Sequence, residues 1–406
     1  MSRSTRNPLA HHVAVIGLVE CAHGALLYTL LPNHLRFGIG HPMSVVGLTL
    51  SVYFIAELLA KVPSGWMVDH WGRRIPLYGG LALSVLAVLM FSRVEAPVAI
   101  LLAAAIAGLG AAPIWPSLVS GVAESTEPGG RGGAMGAVFT AWMLGTGTGF
   151  VVANFLLEIN TAVAFGFVAT CLVGALVPAR MLTANRSTGH VQEDLRESLH
   201  EVLKTAARLW PLIGGMFLQT ISIGMLMPIL SPYAREVLTL SPFWIGALLV
   251  AGPGLTILLL IPLGRIIDRV DRVEVLPVSL GLSAAVLFAL PFFQSMWILV
   301  PLVAILGLGY ATMLPAWNAL IMDLLPPARR ATLLSLAMSV EGMGIAIGTT
   351  IGGVLWDVVG PSTPFHAAAL VLIVVAMGYV ALLPKSVGPM LRRRARRRAR
   401  RTGQAS

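Results

Sequence analysis

An all-α integral membrane protein, with twelve transmembrane helices in two six-helix repeats, is the fold class this sequence predicts. Three observations carry the prediction. The first is polarity: 56% of the 406 residues are hydrophobic, 11% are charged, and mean hydropathy is +0.83. That composition excludes a soluble globular domain. The second is segmentation. The apolar residues fall into twelve runs of bilayer-crossing length, about 20 residues each. The third is a repeat. An offset of 199 residues places Pro63, Gly65, Asp69 and Arg73 on Pro262, Gly264, Asp268 and Arg272. The same offset places Gly108, Gly110 and Pro116 on Gly307, Gly309 and Pro315, and Glu124, Pro128 and Arg131 on Asp323, Pro327 and Arg330. Chance matches among abundant glycines do not extend to aspartates, arginines and prolines at one offset.

Taken in order, the chain starts with Arg3 and Arg6 and no acid before residue 13, as a cytoplasmic N-terminus requires. A first span is expected over 13–31, interrupted by Glu20 and His23, and it runs on too far for a cleavable signal. A short loop around Arg36 leads to a second span over 44–67, which contains Glu57 and Lys61. Four more follow near 75–91, 98–121, 132–157 and 162–181. Residues 182–208 are the long polar interval of the interior, read as a cytoplasmic amphipathic linker. It divides an N-terminal half (1–181) from a C-terminal half (209–384). Spans in the latter are expected near 210–230, 243–267, 275–293, 297–322, 331–358 and 365–383. Residues 385–406 form a basic cytoplasmic tail, with eight arginines between Arg392 and Arg401. The formal charge of +10 is therefore mostly local.

Short-loop arginines set the orientation. Arg73, Arg74, Arg131, Arg180, Arg265, Arg272 and Arg330 share the side of the N-terminus, whereas Arg36, Arg93 and Arg235 lie opposite. Both termini are expected in the cytoplasm, and the chain in an inner membrane. Cys21 and Cys171 sit in separate apolar runs, which argues against a disulfide and a metal site.

The turn at residues 65–77 reads G-x-x-x-D-x-x-G-R-R-x-x-L, with His70 inside it. It resembles the signature between helices two and three of the major facilitator superfamily, although that family usually has Arg where His70 stands. Together with the repeat, the resemblance covers the whole chain. It implies alternating access, with substrate bound near mid-membrane between two halves. It also implies a latch: Asp69 against the start of span eleven, Arg73 paired with Glu124, and, by the repeat, Arg272 with Asp323. Asp268 is the second copy of Asp69, while Asp271 replaces the second glycine of the copy.

An ionisable side chain inside the bilayer is costly unless paired or hydrated, so each is a functional candidate. Glu20, whose repeat counterpart is Gln219, is the first candidate for proton coupling. Glu341, whose counterpart is Trp142, is the second, and Glu57 and His23 follow. Lys61 stands four residues after Glu57; an intrahelical pair is one reading and an exchange with Glu341 during the cycle is the other. The spans that line the pocket in the resembled family offer Tyr28, Trp115, Gln219, Met225, Met227, Tyr310, Met313, Trp317 and Asn318. Aromatic and thioether walls suit amphipathic or cationic small molecules better than sugars.

Gly136, Gly145 and Gly149 keep the spacing of the family's antiporter motif in span five, with Phe150 in place of its proline. Drug antiporters of the family typically carry an arginine in span four, where this chain has Ala104. The expectation is a monomeric secondary transporter, closest in pattern to drug:proton antiporters and exporting amphipathic small molecules against protons. A proton-linked or uniport importer of a small metabolite is the alternative, and a non-transporting receptor a more distant one. No nucleophile–base pair, metal cluster or nucleotide loop points to an enzyme or a cofactor. The basic tail is expected to meet anionic lipid rather than nucleic acid.

Overall fold

A computed structural model describes residues 8–126, 131–182, 210–267, 270, 272–324 and 330–386. The regular structure of the described residues is entirely helical. Among the described residues, twelve helices are long and apolar enough to cross a membrane. Spans 1 to 6 are Leu9–Ile39, Met43–Val68, Arg74–Phe91, Pro97–Val122, Gly133–Ile159 and Thr161–Ala179. Spans 7 to 12 are Trp210–Glu236, Pro242–Leu260, Val273–Phe292, Met296–Trp317, Met338–Val358 and Thr363–Leu383. The linker and basic tail expected from the sequence lie almost wholly outside the described residues.

Helix ends follow local chemistry. Gly72 stops the helix Met43–Trp71 with φ +79°, a conformation that a Cβ disfavours. Asn160 caps the helix Thr161–Gly174, its side chain accepting from Ala162 N–H at 2.7 Å.

Span 1 departs from expectation. Its helix continues past Leu31 to Ile39, so Arg36 belongs to the helix rather than to a loop. Two π-helical stretches, Leu26–Leu30 and His34–Ile39, flank a short α-segment that holds Pro32. Proline lacks an N–H and crowds the preceding turn, and the wider π turn accommodates both defects. Gly40, with φ +88°, then closes the helix. Span 8 repeats the device at Val250–Gly254, around Pro253.

The chain resolves into two compact units that cut across spans 7, 8 and 11. One comprises Met1–His190, Met225–Leu249 and Thr349–Pro361; the other comprises Val191–Gly224, Val250–Gly348 and Ser362–Ser406.

In the first unit, spans 1 and 5 meet along a glycine seam. A Cβ on Gly145 would stand 2.6 Å from the Gly17 carbonyl oxygen, and one on Gly149 would overlap the Cys21 carbonyl. From the other helix, Gly24 meets the Thr146 carbonyl in the same way. Backbones that close gain dispersion contacts available to no larger residue. In the second unit spans 7 and 11 do likewise: Gly344, the repeat counterpart of Gly145, packs on Phe217 and Thr220, and Gly224 on Ile345 and Gly348. The seam can be tested with its own control, because Gly147 has open space around it. Gly149→Val is expected to cost ~3 kcal/mol or more and to remove the monodisperse peak in size-exclusion chromatography. Gly147→Val is expected to leave that peak intact; equal behaviour of the two variants would refute the seam.

Candidate functional site

The acids of the N-terminal spans converge. Glu20 lies eleven residues after the start of span 1, roughly 16 Å along the axis. It is 15% exposed, with His23 Nδ1 3.7 Å from its Oε1. From span 5, Thr146 Oγ1 donates to Glu20 Oε2 at 3.4 Å. Tyr53 of span 2 sets its ring edge-on to His23, with centroids 6.4 Å apart. One turn on, Lys61 Nζ stands 3.0 Å from Glu57 Oε1, so the structure has the intrahelical pair. Tyr53, Glu57 and Lys61 form one i, i+4, i+8 stripe, which brings span 2's polar face to span 1's acid. That stripe was a legible signal for Tyr53; Thr146 had none, being 126 residues from Glu20.

A second polar cluster joins spans 1, 5 and 7 at the end opposite the 65–77 turn. Asn33 Nδ2 donates to Thr29 O at 2.6 Å and to Ser231 Oγ at 2.7 Å. The Ser231 hydroxyl donates to Asn154 Oδ1 at 3.1 Å. Asn154 Nδ2 in turn donates to Thr29 Oγ1 at 3.0 Å and to Phe150 O at 2.8 Å. All four side chains are buried. Arg235 extends the chain outward, donating to Asn154 O at 2.8 Å and pairing with Glu158 at 2.9 Å.

Arg36 pairs with Glu236 at 3.1 Å, and Asp357 accepts from the Met43 and Ser44 N–H groups at 3.0 and 2.7 Å. Those last contacts cap the start of span 2 and favour a carboxylate there. Glu158 and Asp357 are themselves one repeat apart, as are Arg36 and Arg235. The offset thus held a signal for two carboxylates that the sequence reading passed over.

The cavity candidates divide between the units. In the first, half-buried Tyr28 packs against Phe150, Ala234 and Ile245, and Trp115 stands edge-on to Phe139. Met225 and Met227 are buried there. In the second, Gln219 and Trp317 are buried, and neither Gln219 Oε1 nor Trp317 Nε1 has a partner among the described residues. Trp317 tilts toward Tyr379 at 6.4 Å, Met313 is buried, and Tyr310 lies within the field of Glu341.

Of the latch residues, Arg73 is buried, and its guanidinium packs with His12 on Gly121 at the foot of span 4. The side chains of Asp69, Glu124, Arg272, Asp323 and Asn318, and Asp268 as a whole, lie outside the described residues.

The family model described as Major Facilitator Superfamily matches residues 13–218 and 212–404. Among curated proteins, the proton-coupled antiporter flippase LtaA of Staphylococcus haemolyticus (strain JCSC1435) is 26% identical over 373 residues, covering 90% of this chain and 92% of its own. LtaA of Staphylococcus aureus (strain USA300) is 26% identical over 393 residues, 93% of this chain and 97% of its own. Among solved structures, a variant of the nucleoside transporter NupG aligns with TM-score 0.78 at 13% identity, over 92% of this chain and 99% of that one. A POT family transporter in complex with 5-aminolevulinic acid aligns with TM-score 0.73 at 14% identity, over 93% and 96%.

Proposed function

Because this chain belongs to the major facilitator superfamily, we propose that it is a proton-coupled antiporter that moves amphipathic molecules outward across an inner membrane by alternating access. The observation that carries this reading is Glu20, a carboxylate eleven residues into span 1, held by Thr146 and beside His23. A mid-membrane acid persists where it does work, since its charged form is costly there. Protonation from outside neutralises it and lowers the cost of carrying it through the closed intermediate; release inside restores the charge. Glu341 is the second proton candidate, and its exchange with Lys61 is a further step of the same proposal. Span 4 carries Ala104 rather than the arginine of drug antiporters. The curated relatives over nine-tenths of the chain are antiporter flippases. Both favour a lipid-like amphiphile over a small soluble drug. The importer reading has no observation of its own.

In this reading both termini are cytoplasmic, the protein works as a monomer, and the arginine-rich tail rests on anionic lipid. The Asn33–Asn154–Ser231 cluster seals the extracytoplasmic end, and Asp69 with Arg73 latches the cytoplasmic one. Asp69→Asn is expected to lower transport about tenfold or more with membrane abundance unchanged; normal rates would remove the latch role.

The test of the function uses proteoliposomes with an internal pH dye and fluorescent amphiphiles of lipid and lipophilic-cation type. Proton movement driven by one of these amphiphiles supports antiport. Substrate movement indifferent to an imposed pH gradient overturns it in favour of uniport.

A further inference from the structure

In the first unit a small cavity lies between spans 1, 2, 3, 4 and 6, with room for about one water molecule. Its walls are largely apolar, but His23 of span 1 and Ser84 of span 3 both border it. Ser84 is 6% exposed, and its hydroxyl has no partner among the described residues. A serine inside an apolar helix commonly donates to the carbonyl four residues back, as Ser117 and Ser120 do at 2.6 and 2.8 Å. Ser84 does not. Span 4 closes on it from one side, where a Cβ on Gly110 would stand 2.8 Å from Ser84 Oγ. His23 turns Nδ1 toward Glu20, 3.7 Å away, which leaves Nε2 on the far edge of the ring. Leu26, also in the wall, opens the π-helical stretch of span 1, and such departures from α geometry recur at functional sites.

We infer that this cavity binds one ordered water, which bridges Ser84 Oγ and His23 Nε2. A buried hydroxyl left unpaired is costly, and water is the smallest ligand that both donates and accepts. Its two partners share that property. A serine hydroxyl does either, and imidazole Nε2 does either according to tautomer. While Glu20 is ionised, Nδ1–H faces the carboxylate and Nε2 accepts from the water. Once Glu20 is protonated, its O–H faces a bare Nδ1, and Nε2–H donates to the water, which turns a proton to Ser84. The two arrangements differ by the one proton that Glu20 has gained; ring, water and serine stay neutral throughout. The water thus lets His23 follow the charge of Glu20 without placing an ion in an apolar cavity. That consequence rests on the antiport reading of Glu20, whereas the water site itself does not.

The experiment is X-ray hydroxyl-radical footprinting of the purified full-length protein, in which irradiated bound water oxidises the side chains around it. Tyr53 and Leu172 line the cavity and are only 4% and 2% exposed. Tyr379 and Leu280, at 2% and 0%, are as buried and lie outside it. Tyr53 and Leu172 are expected to oxidise at the rates of exposed residues, and Tyr379 and Leu280 to stay unmodified. Ser84→Ala removes one of the two partners and is expected to lower Tyr53 oxidation about fivefold or more, with Tyr379 unchanged. If Tyr53 and Leu172 are as unreactive as the controls, or Ser84→Ala oxidises like the parent, the inference falls. Should the variant not fold, a density map of the wild type decides. A peak within hydrogen-bond reach of both Ser84 Oγ and His23 Nε2 upholds the site; an empty cavity, or a peak that reaches only one of them, refutes it. None of these readouts involves transport, so the site and the antiport reading stand or fall separately.

Discussion

Glu20→Gln is expected to lower proton-driven transport ~100-fold while leaving membrane insertion and melting temperature at wild-type values. The substitution keeps the size of the side chain, and its amide can still meet the Thr146 hydroxyl, now 3.4 Å from Glu20 Oε2. It removes only the ability to gain and lose a proton. Stability is therefore not the variable. Exchange of labelled for unlabelled substrate, which needs no net proton movement, is expected to persist in the variant. Thr146→Val should show a milder loss, because it takes away a hydrogen bond rather than the titrating group. The measurement is internal pH change in proteoliposomes on addition of substrate. A Glu20→Gln protein that still couples substrate to pH would move the proton site to Glu341 and make Glu20 a structural residue.

Asn154→Ala is expected to open the sealed end of spans 1, 5 and 7. The carboxamide donates to Thr29 and Phe150 and accepts from Ser231 and Arg235, and it is fully buried. Losing one buried partner strands others, at a cost of about 1–3 kcal/mol. That cost falls on the sealed state alone, since these groups meet water once the seal parts. The equilibrium should shift toward the open form by ~5–150-fold. The Arg235–Glu158 pair contributes less, because Glu158 is 55% exposed and water screens the attraction. Arg235→Met should accordingly have a smaller effect than Asn154→Ala.

The readout is the labelling rate of a cysteine placed at Tyr28, in a background with Cys21 and Cys171 changed to serine, by an impermeant maleimide on right-side-out vesicles. A rate in Asn154→Ala equal to that of the parent background would show that the cluster is packing rather than seal.

Particular residues mark how far the sequence could be read. Glu20, His23, Glu57 and Lys61 stood out because each is an ionisable group in an apolar run, and the structure gathers the first two and pairs the last two. Tyr53 was within reach through its i, i+4, i+8 stripe, and Glu158 and Asp357 through the repeat. Thr146, Asn154 and Ser231 were not. A hydroxyl or amide in a transmembrane run costs too little to look unusual, and nothing local records which neighbour it faces.

The sequence by itself determined the membrane class, the twelve spans and the internal repeat. Those properties are local or periodic: apolar length, arginine placement, and identities recurring at one offset. Only the tertiary structure decided that Thr146 reaches Glu20, that Asn33, Asn154 and Ser231 share one network, and that span 1 extends through π-helical turns to Ile39. The reason lies in the solvent. Lipid and protein interior are both apolar, so a transmembrane helix can be hydrophobic all round, and its composition does not say which face turns inward. Rotation and depth are set by glycine seams and scattered polar contacts between spans far apart in the chain, and those exist only once the helices have packed.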